Sequence, residues 1–421
     1  MTIDCHTATL SNGMRVVHQP STSAVVYCGI AVSVGSRHEE SGEEGLAHFC
    51  EHATFKGTQR RRAIQVMNCL ESVGGELNAF TNKEDTVYYA AIQREHFGRA
   101  VDLLTDIVFH STYPEAELVH ERDVVCDEIE SYNDTPSELI FDEFENLLFC
   151  GHPLGHNILG TAQSVSGFST AETTRFTKRH YIPSRCVFFV AGDISFDRLL
   201  RRLETLCPVA AFGYGESLAA PCQESVAPVG GDAAVSAAQA QASNIRLDTH
   251  QSHVMMGHRG YAFSDERRMP LFLLNNLLGG PSMSNRLNVS LRERRGLVYT
   301  VESVTTSYSD TGCWAVYFGC DHHDVARCTR LVHRELQRLV DRPISERQLS
   351  AAKRQLKGQL AIGYENVEQR TIDMARTFLH YDRMRSLSDV CSEIDAVTAE
   401  QMHRVAQELF LPSALTTLII E

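Results

Sequence analysis

The sequence predicts two related α+β domains, each a mostly antiparallel sheet packed with helices, arising by internal duplication. Three observations lead there. A chain of 421 residues is too long for one comfortable core. The stretch 213–243 is dominated by Ala, Gly, Ser, Gln and Pro, has no amphipathic period, and is broken by Pro221, Pro228 and Gly230-Gly231. The same order of strand and helix patterns stands on both sides of it. The expected organisation is therefore a first domain at 1–212, a linker at 213–243 and a second domain at 244–421.

The elements follow in order. Thr7–Leu10 and Met14–His18 alternate around Asn12-Gly13, a hairpin signature. An apolar strand, Tyr27–Val34, leads through a polar loop to helical patterns at Gly45–Phe55 and Ala63–Val73, then Gly74-Gly75 and a strand at Glu76–Thr81. The second half repeats the plan: strand His253–His258, helices Arg268–Leu278 and Ser284–Arg294, Gly296, and strand Leu297–Thr305. Long helical patterns at Glu346–Ile362 and Val367–His380 follow.

Composition narrows the function. Hydrophobic content of 43% with 22% charged residues is that of a soluble globular protein. A net charge of -14 argues against a nucleic-acid surface, which needs clustered Lys and Arg. The opening Met1-Thr2-Ile3-Asp4-Cys5 lacks a signal-peptide pattern, and no apolar run reaches the roughly 18 residues of a membrane span. A cytoplasmic location is the expectation. Thirteen Cys, an odd number without a close CxxC pair, fit a reducing compartment.

One segment carries chemistry: Gly45-Leu46-Ala47-His48-Phe49-Cys50-Glu51-His52. Residues four apart share a helix face, so His48 and His52 can converge on one ion. Imidazole suits zinc, and Glu51 stands beside the second ligand, placed to take a proton from water. This is H-x-x-E-H, the inversion of H-E-x-x-H. Cys50 faces away from His48, and its nearness to the site suggests sensitivity to bulky thiol reagents. A third ligand is expected from the helical pattern Pro114–Tyr132, where Glu121 and Glu128 lie seven apart and return to nearly one face. Spacing leaves open which of them ligates and which orients a ligand.

The chain resembles the pitrilysin/insulinase (M16) metallopeptidase superfamily, in its short two-domain branch with the processing peptidase β subunit of mitochondria and its bacterial homologues. The likeness runs over essentially the whole length. It rests on the segment above and on Gly35-Ser36-Arg37, Phe55-Lys56-Gly57-Thr58, Gly74-Gly75-Glu76-Leu77-Asn78-Ala79-Phe80-Thr81 and His152-Pro153-Leu154-Gly155. In the second half it rests on Gly279-Gly280-Pro281-Ser282-Met283-Ser284-Asn285-Arg286-Leu287 and on Leu291-Arg292 to Gly296-Leu297-Val298-Tyr299.

The resemblance implies the LuxS/MPP-like metallohydrolase fold and a zinc endopeptidase holding one Zn2+ per chain. Glu128, 76 positions beyond His52, matches the third ligand, with Glu121 supporting the site. It further implies that Arg292 and Tyr299, seven apart, bind substrate and stabilise its oxyanion, and that Asn78, Ala79, Phe80 and Thr81 form an edge strand for an extended peptide. Relatives close a chamber from four such domains, so a homodimer, or a heterodimer with a related chain, is implied. The second-half counterpart of the metal helix, Met269–Leu277, has no His or Glu and cannot bind zinc in this way. Two other readings stand beside the peptidase: a non-catalytic scaffold, and a peptide-binding module.

Overall fold

A computed structural model describes residues 5–212 and 241–421. The described residues form two units. The first comprises 5–130, 156–212 and 364–386; the second comprises 131–155, 241–363 and 387–421.

The first unit is built on six strands: β1 (His6–Thr9), β2 (Arg15–Pro20), β3 (Val25–Val32), β4 (Glu76–Thr81), β5 (Thr86–Gln93) and β6 (Cys186–Gly192), in the order β1-β2-β6-β3-β5-β4. Every neighbouring pair is antiparallel except β2 with β6. The period of two divides the strands between two cores. Val16, Ile30 and Phe188 face helices Leu46–Thr54, Ala63–Glu71, Phe97–His110, Thr170–His180 and Phe196–Leu206. Their neighbours Val17, Ala31, Val187 and Phe189 face the other way, onto Met374, Ala375, Phe378 and Leu379 of helix Val367–Tyr381.

The second unit has five strands: β7 (Ala242–Ile245), β8 (Ser252–Gly260), β9 (Val298–Ser307), β10 (Gly312–Cys320) and β11 (Thr416–Ile420), in the order β7-β11-β8-β10-β9. Its one parallel pair is β7 with β11. The run β2-β6-β3-β5-β4 has the same sequence of parallel and antiparallel neighbours, so the duplication read from the sequence is present in the topology. Helices Arg268–Gly279, Val325–Asp341, Glu346–Gly363 and Ala399–Leu409 cover one face around Trp314 and Phe410. Helix Pro136–Leu148 covers the other, packing Leu139, Ile140, Phe144 and Leu148 onto Met255, Ala315 and Leu418.

The units therefore differ from the contiguous halves expected from the sequence. Each half lends the other a helix, 136–148 to β8 and β11 and 367–381 to β3 and β6, at equivalent places in the two sheets. The physical reason is that each sheet is apolar on both faces, so the second face needs a cover that its own half does not provide. Most of the expected linker 213–243 lies outside the described residues, but its last residues already belong to β7. The pattern read as helix Ser284–Arg294 contains a π-helical turn at Asn288–Glu293.

A candidate metal centre

The metal motif occupies helix Leu46–Thr54. Leu46, Ala47, Phe49, Cys50 and Ala53 are fully buried in the core, which leaves His48, Glu51 and His52 within about 100° of arc on the remaining face. No side chain caps this helix from its own N-cap, Gly45. Glu39 does so from six residues earlier: its carboxylate accepts from Gly45 N at 2.9 Å and Ala47 N at 2.7 Å, a negative charge at the positive end of the helix. His156 Nε2 bonds the same carboxylate at 2.9 Å. Gly45 has φ +92° and a Cβ there would stand 2.5 Å from Leu159 O, so the position excludes any side chain.

Helix Glu115–Asn133 supplies the carboxylates. Glu128 Oε2 lies 3.8 Å from His48 Nε2 and 3.5 Å from His52 Nε2. These three groups offer one ligand atom each within 4.8 Å of one another. Glu121, one heptad earlier, turns to the far side of the same imidazole: its Oε1 meets His52 Nδ1 at 2.9 Å. With Nδ1–H donating to Glu121, the Nε2 lone pair of His52 is left for an ion. Two imidazole nitrogens and a carboxylate oxygen are a zinc-type donor set.

The electrostatic surroundings of the two imidazoles differ. Burial, helped by the neighbouring His52, holds His48 neutral by pulling its pKa down to about 3. For His52 burial also acts downward, but the Glu121 hydrogen bond and the charges of Glu51, Glu128 and Glu121 outweigh it and raise the pKa. Burial pulls Glu121 upward, yet His52 and the Lys56 ammonium bring its pKa below the usual carboxylate value. Glu51 is 7% exposed, and burial raises its pKa despite the hydrogen bond from Thr81.

The edge strand meets this face. β4 ends the sheet beside β5, and helix Leu46–Thr54 lies against it. Ala79 packs on the metal-helix side, where the Thr81 hydroxyl donates to Glu51 Oε2 at 2.6 Å, whereas Phe80 packs on the opposite face. Asn78 is exposed. The four residues named from the sequence thus share a strand but not a face.

Arg292 and Tyr299 belong to the second unit, Arg292 in the π-helical turn and Tyr299 on β9, 77% exposed. Cys50 departs from expectation: it is fully buried, its Sγ faces Thr173 O at 3.9 Å, and burial pushes its pKa well up, so the expected thiol-reagent sensitivity has no access route. Sequence reasoning passed over Glu39, His156 and the Glu51 partner role of Thr81. An acidic residue just ahead of an uncapped helix was the available signal for Glu39.

The family model described as insulinase (peptidase family M16) matches residues 15–162, and that described as the peptidase M16 inactive domain matches 168–356. An uncharacterized zinc protease of Bacillus subtilis is 32% identical over 98% of this chain and 97% of its own. One from Mycobacterium tuberculosis is 35% identical over 95% of this chain and 90% of its own. Among solved structures, a protease from Helicobacter pylori superposes with a TM-score of 0.88 at 22% identity, covering all of both chains. A peptidase M16 inactive domain from Pseudomonas fluorescens gives a TM-score of 0.85 at 18% identity, over 99% of this chain and 98% of that one. These two show a shared fold.

Proposed function

The chain belongs to the insulinase family of peptidases, M16, and on that premise we propose that it is a zinc-dependent endopeptidase acting on extended peptides. The observation that carries the reading is the convergence of His48 Nε2, His52 Nε2 and Glu128 Oε2 with Glu51 on the same helix face. His48, His52 and Glu128 would hold one zinc. When bound, that ion supplies Lewis acidity, polarising a carbonyl and making a water easier to deprotonate.

The remaining steps are assigned to the chain's own groups. Glu51 takes the proton of the attacking water on its carboxylate and returns it to the leaving amine. Burial suits it to hold that proton, since its pKa is raised. Thr81 fixes one oxygen of Glu51, which leaves the other to serve the reacting water. Among the described residues β4 has no strand on its outer side, and that edge offers backbone donors and acceptors to a substrate strand, which selects extended chains over folded ones. Arg292 and Tyr299 are assigned to substrate and to the charge developing on the carbonyl oxygen. Because one chain carries both the metal motif and the Arg292/Tyr299 element, a homodimer suffices for assembly, with one Zn2+ per chain.

The test is cleavage of a quenched library of extended peptides, with and without a chelator, alongside Glu51→Gln. Cleavage that chelation abolishes, zinc restores and Glu51→Gln lacks is the expected result. Zinc bound without any cleavage would favour a scaffold or peptide-binding role, and chelator-resistant cleavage would remove the mechanism.

A further inference from the structure

We propose that Lys56 is a positioning residue of the metal centre, its ammonium pinning Glu121 so that the second carboxylate oxygen holds His52 in the tautomer and orientation that ligate. The inference rests on the zinc reading above and concerns a residue outside the ligand set.

The contacts form a chain. Lys56 Nζ pairs with Oε2 of Glu121, and Oε1 of the same carboxylate meets His52 Nδ1 at 2.9 Å. Each oxygen of Glu121 thus has its own cationic or N–H partner. A carboxylate held by one ammonium at one oxygen cannot swing about its Cγ–Cδ bond without breaking that pair, so the other oxygen is fixed against the imidazole. Glu121 is 4% exposed, so water is a poor substitute for the ammonium.

The backbone around Lys56 is built to hold it there. The residue sits just past the metal helix, where its own N–H donates to Ala53 O at 3.1 Å. Gly57 then takes φ +138°, a value that a side chain would strain, and its carbonyl accepts from Thr112 N at 3.1 Å. Thr58 bridges to Ser111 and its hydroxyl donates to Asp106 Oδ2 at 2.8 Å. The turn is therefore fastened on its far side, and the Lys56 side chain is directed back at Glu121. The Phe55-Lys56-Gly57-Thr58 segment is in this view part of the metal centre.

A lysine in an ordinary partly exposed ion pair would add a little to folding and nothing to metal binding. The two roles separate in one experiment. Zinc affinity is measured by competition with a chromophoric chelator for the unmutated protein, Lys56→Met and Lys56→Arg, together with the melting temperature of each metal-free protein. Removing an outer partner of a zinc-ligating histidine typically weakens binding about 10–100-fold, and for Lys56→Met we expect about tenfold. The metal-free melting temperature reports separately what loss of the Lys56–Glu121 pair costs the fold, and Lys56→Arg should recover most of the affinity. Unchanged zinc affinity in Lys56→Met would overturn the proposal, as would a loss that Lys56→Arg shares in full. If Lys56→Met does not fold, Lys56→Gln serves with the same criteria. Failure of the unmutated protein to bind zinc would overturn the metal centre itself, an outcome distinct from any seen only in the variants.

Discussion

The Thr81 hydroxyl donates to Oε2 of Glu51 at 2.6 Å, joining the edge strand β4 to the acid/base candidate on the metal helix. A peptide docking along β4 would therefore approach the chain at a strand already bonded to the group assigned to proton transfer. Glu51→Gln should keep zinc and lower peptide cleavage by about 10²–10⁴-fold. Thr81→Val keeps the shape but removes the donor. A hydrogen bond to a charged group contributes about 1.5–3 kcal/mol, so kcat/KM should fall about 10–100-fold with zinc content unchanged. Steady-state kinetics with metal analysis checks both.

Removing the metal should cost stability as well as activity. The ligand atoms of His48, His52 and Glu128 come from two helices, so an ion joining them binds the folded chain alone. Zinc at about a hundred times its Kd adds about 2.7 kcal/mol. Thermal melts with and without chelator should differ by several degrees, and His48→Ala should lose that difference.

Asp85 is 1% exposed and accepts from Arg376 Nε and Nη2 at 3.0 Å, with His380 Nε2 also at 3.0 Å. Burial pulls its pKa up, but the His380 hydrogen bond and the Arg376 charge overcome this and bring it down to about 2. The folded pKa lies below the unfolded value of about 3.9, so this stabilisation is present above about pH 4 and is lost as pH falls toward 2. Asp85→Asn should destabilise the protein by about 1–3 kcal/mol near neutrality and flatten the acid limb of stability against pH, as followed by denaturant melts.

Cys50 should resist modification in the native protein while Cys150, which is exposed, reacts readily. Peptide mapping after brief treatment with a bulky maleimide checks the order. Early labelling of Cys50 with retained fold would contradict its burial.

Several features were legible in the sequence because they are local. The H-x-x-E-H spacing places His48, Glu51 and His52 on one arc whenever the segment is helical, and β4 begins and ends where its alternation does, at Glu76 and Thr81. The two-domain α+β plan follows from patterns repeated about the interval 213–243. Lys56 was visible only as a letter in a motif. Its meaning depends on Glu121, which lies 65 positions away in sequence.

What the tertiary structure decided is which surfaces meet. Seven-residue spacing puts Glu121 and Glu128 on one helix face without saying which side of an imidazole each will reach. In the folded chain Glu128 faces both Nε2 atoms and Glu121 faces Nδ1 of His52. Helices Pro136–Leu148 and Val367–Tyr381 declare an apolar face in sequence but not the sheet that receives it. Amphipathic periodicity records that a face is buried, whereas the partner is chosen by non-local packing, and here each helix covers the sheet of the other half.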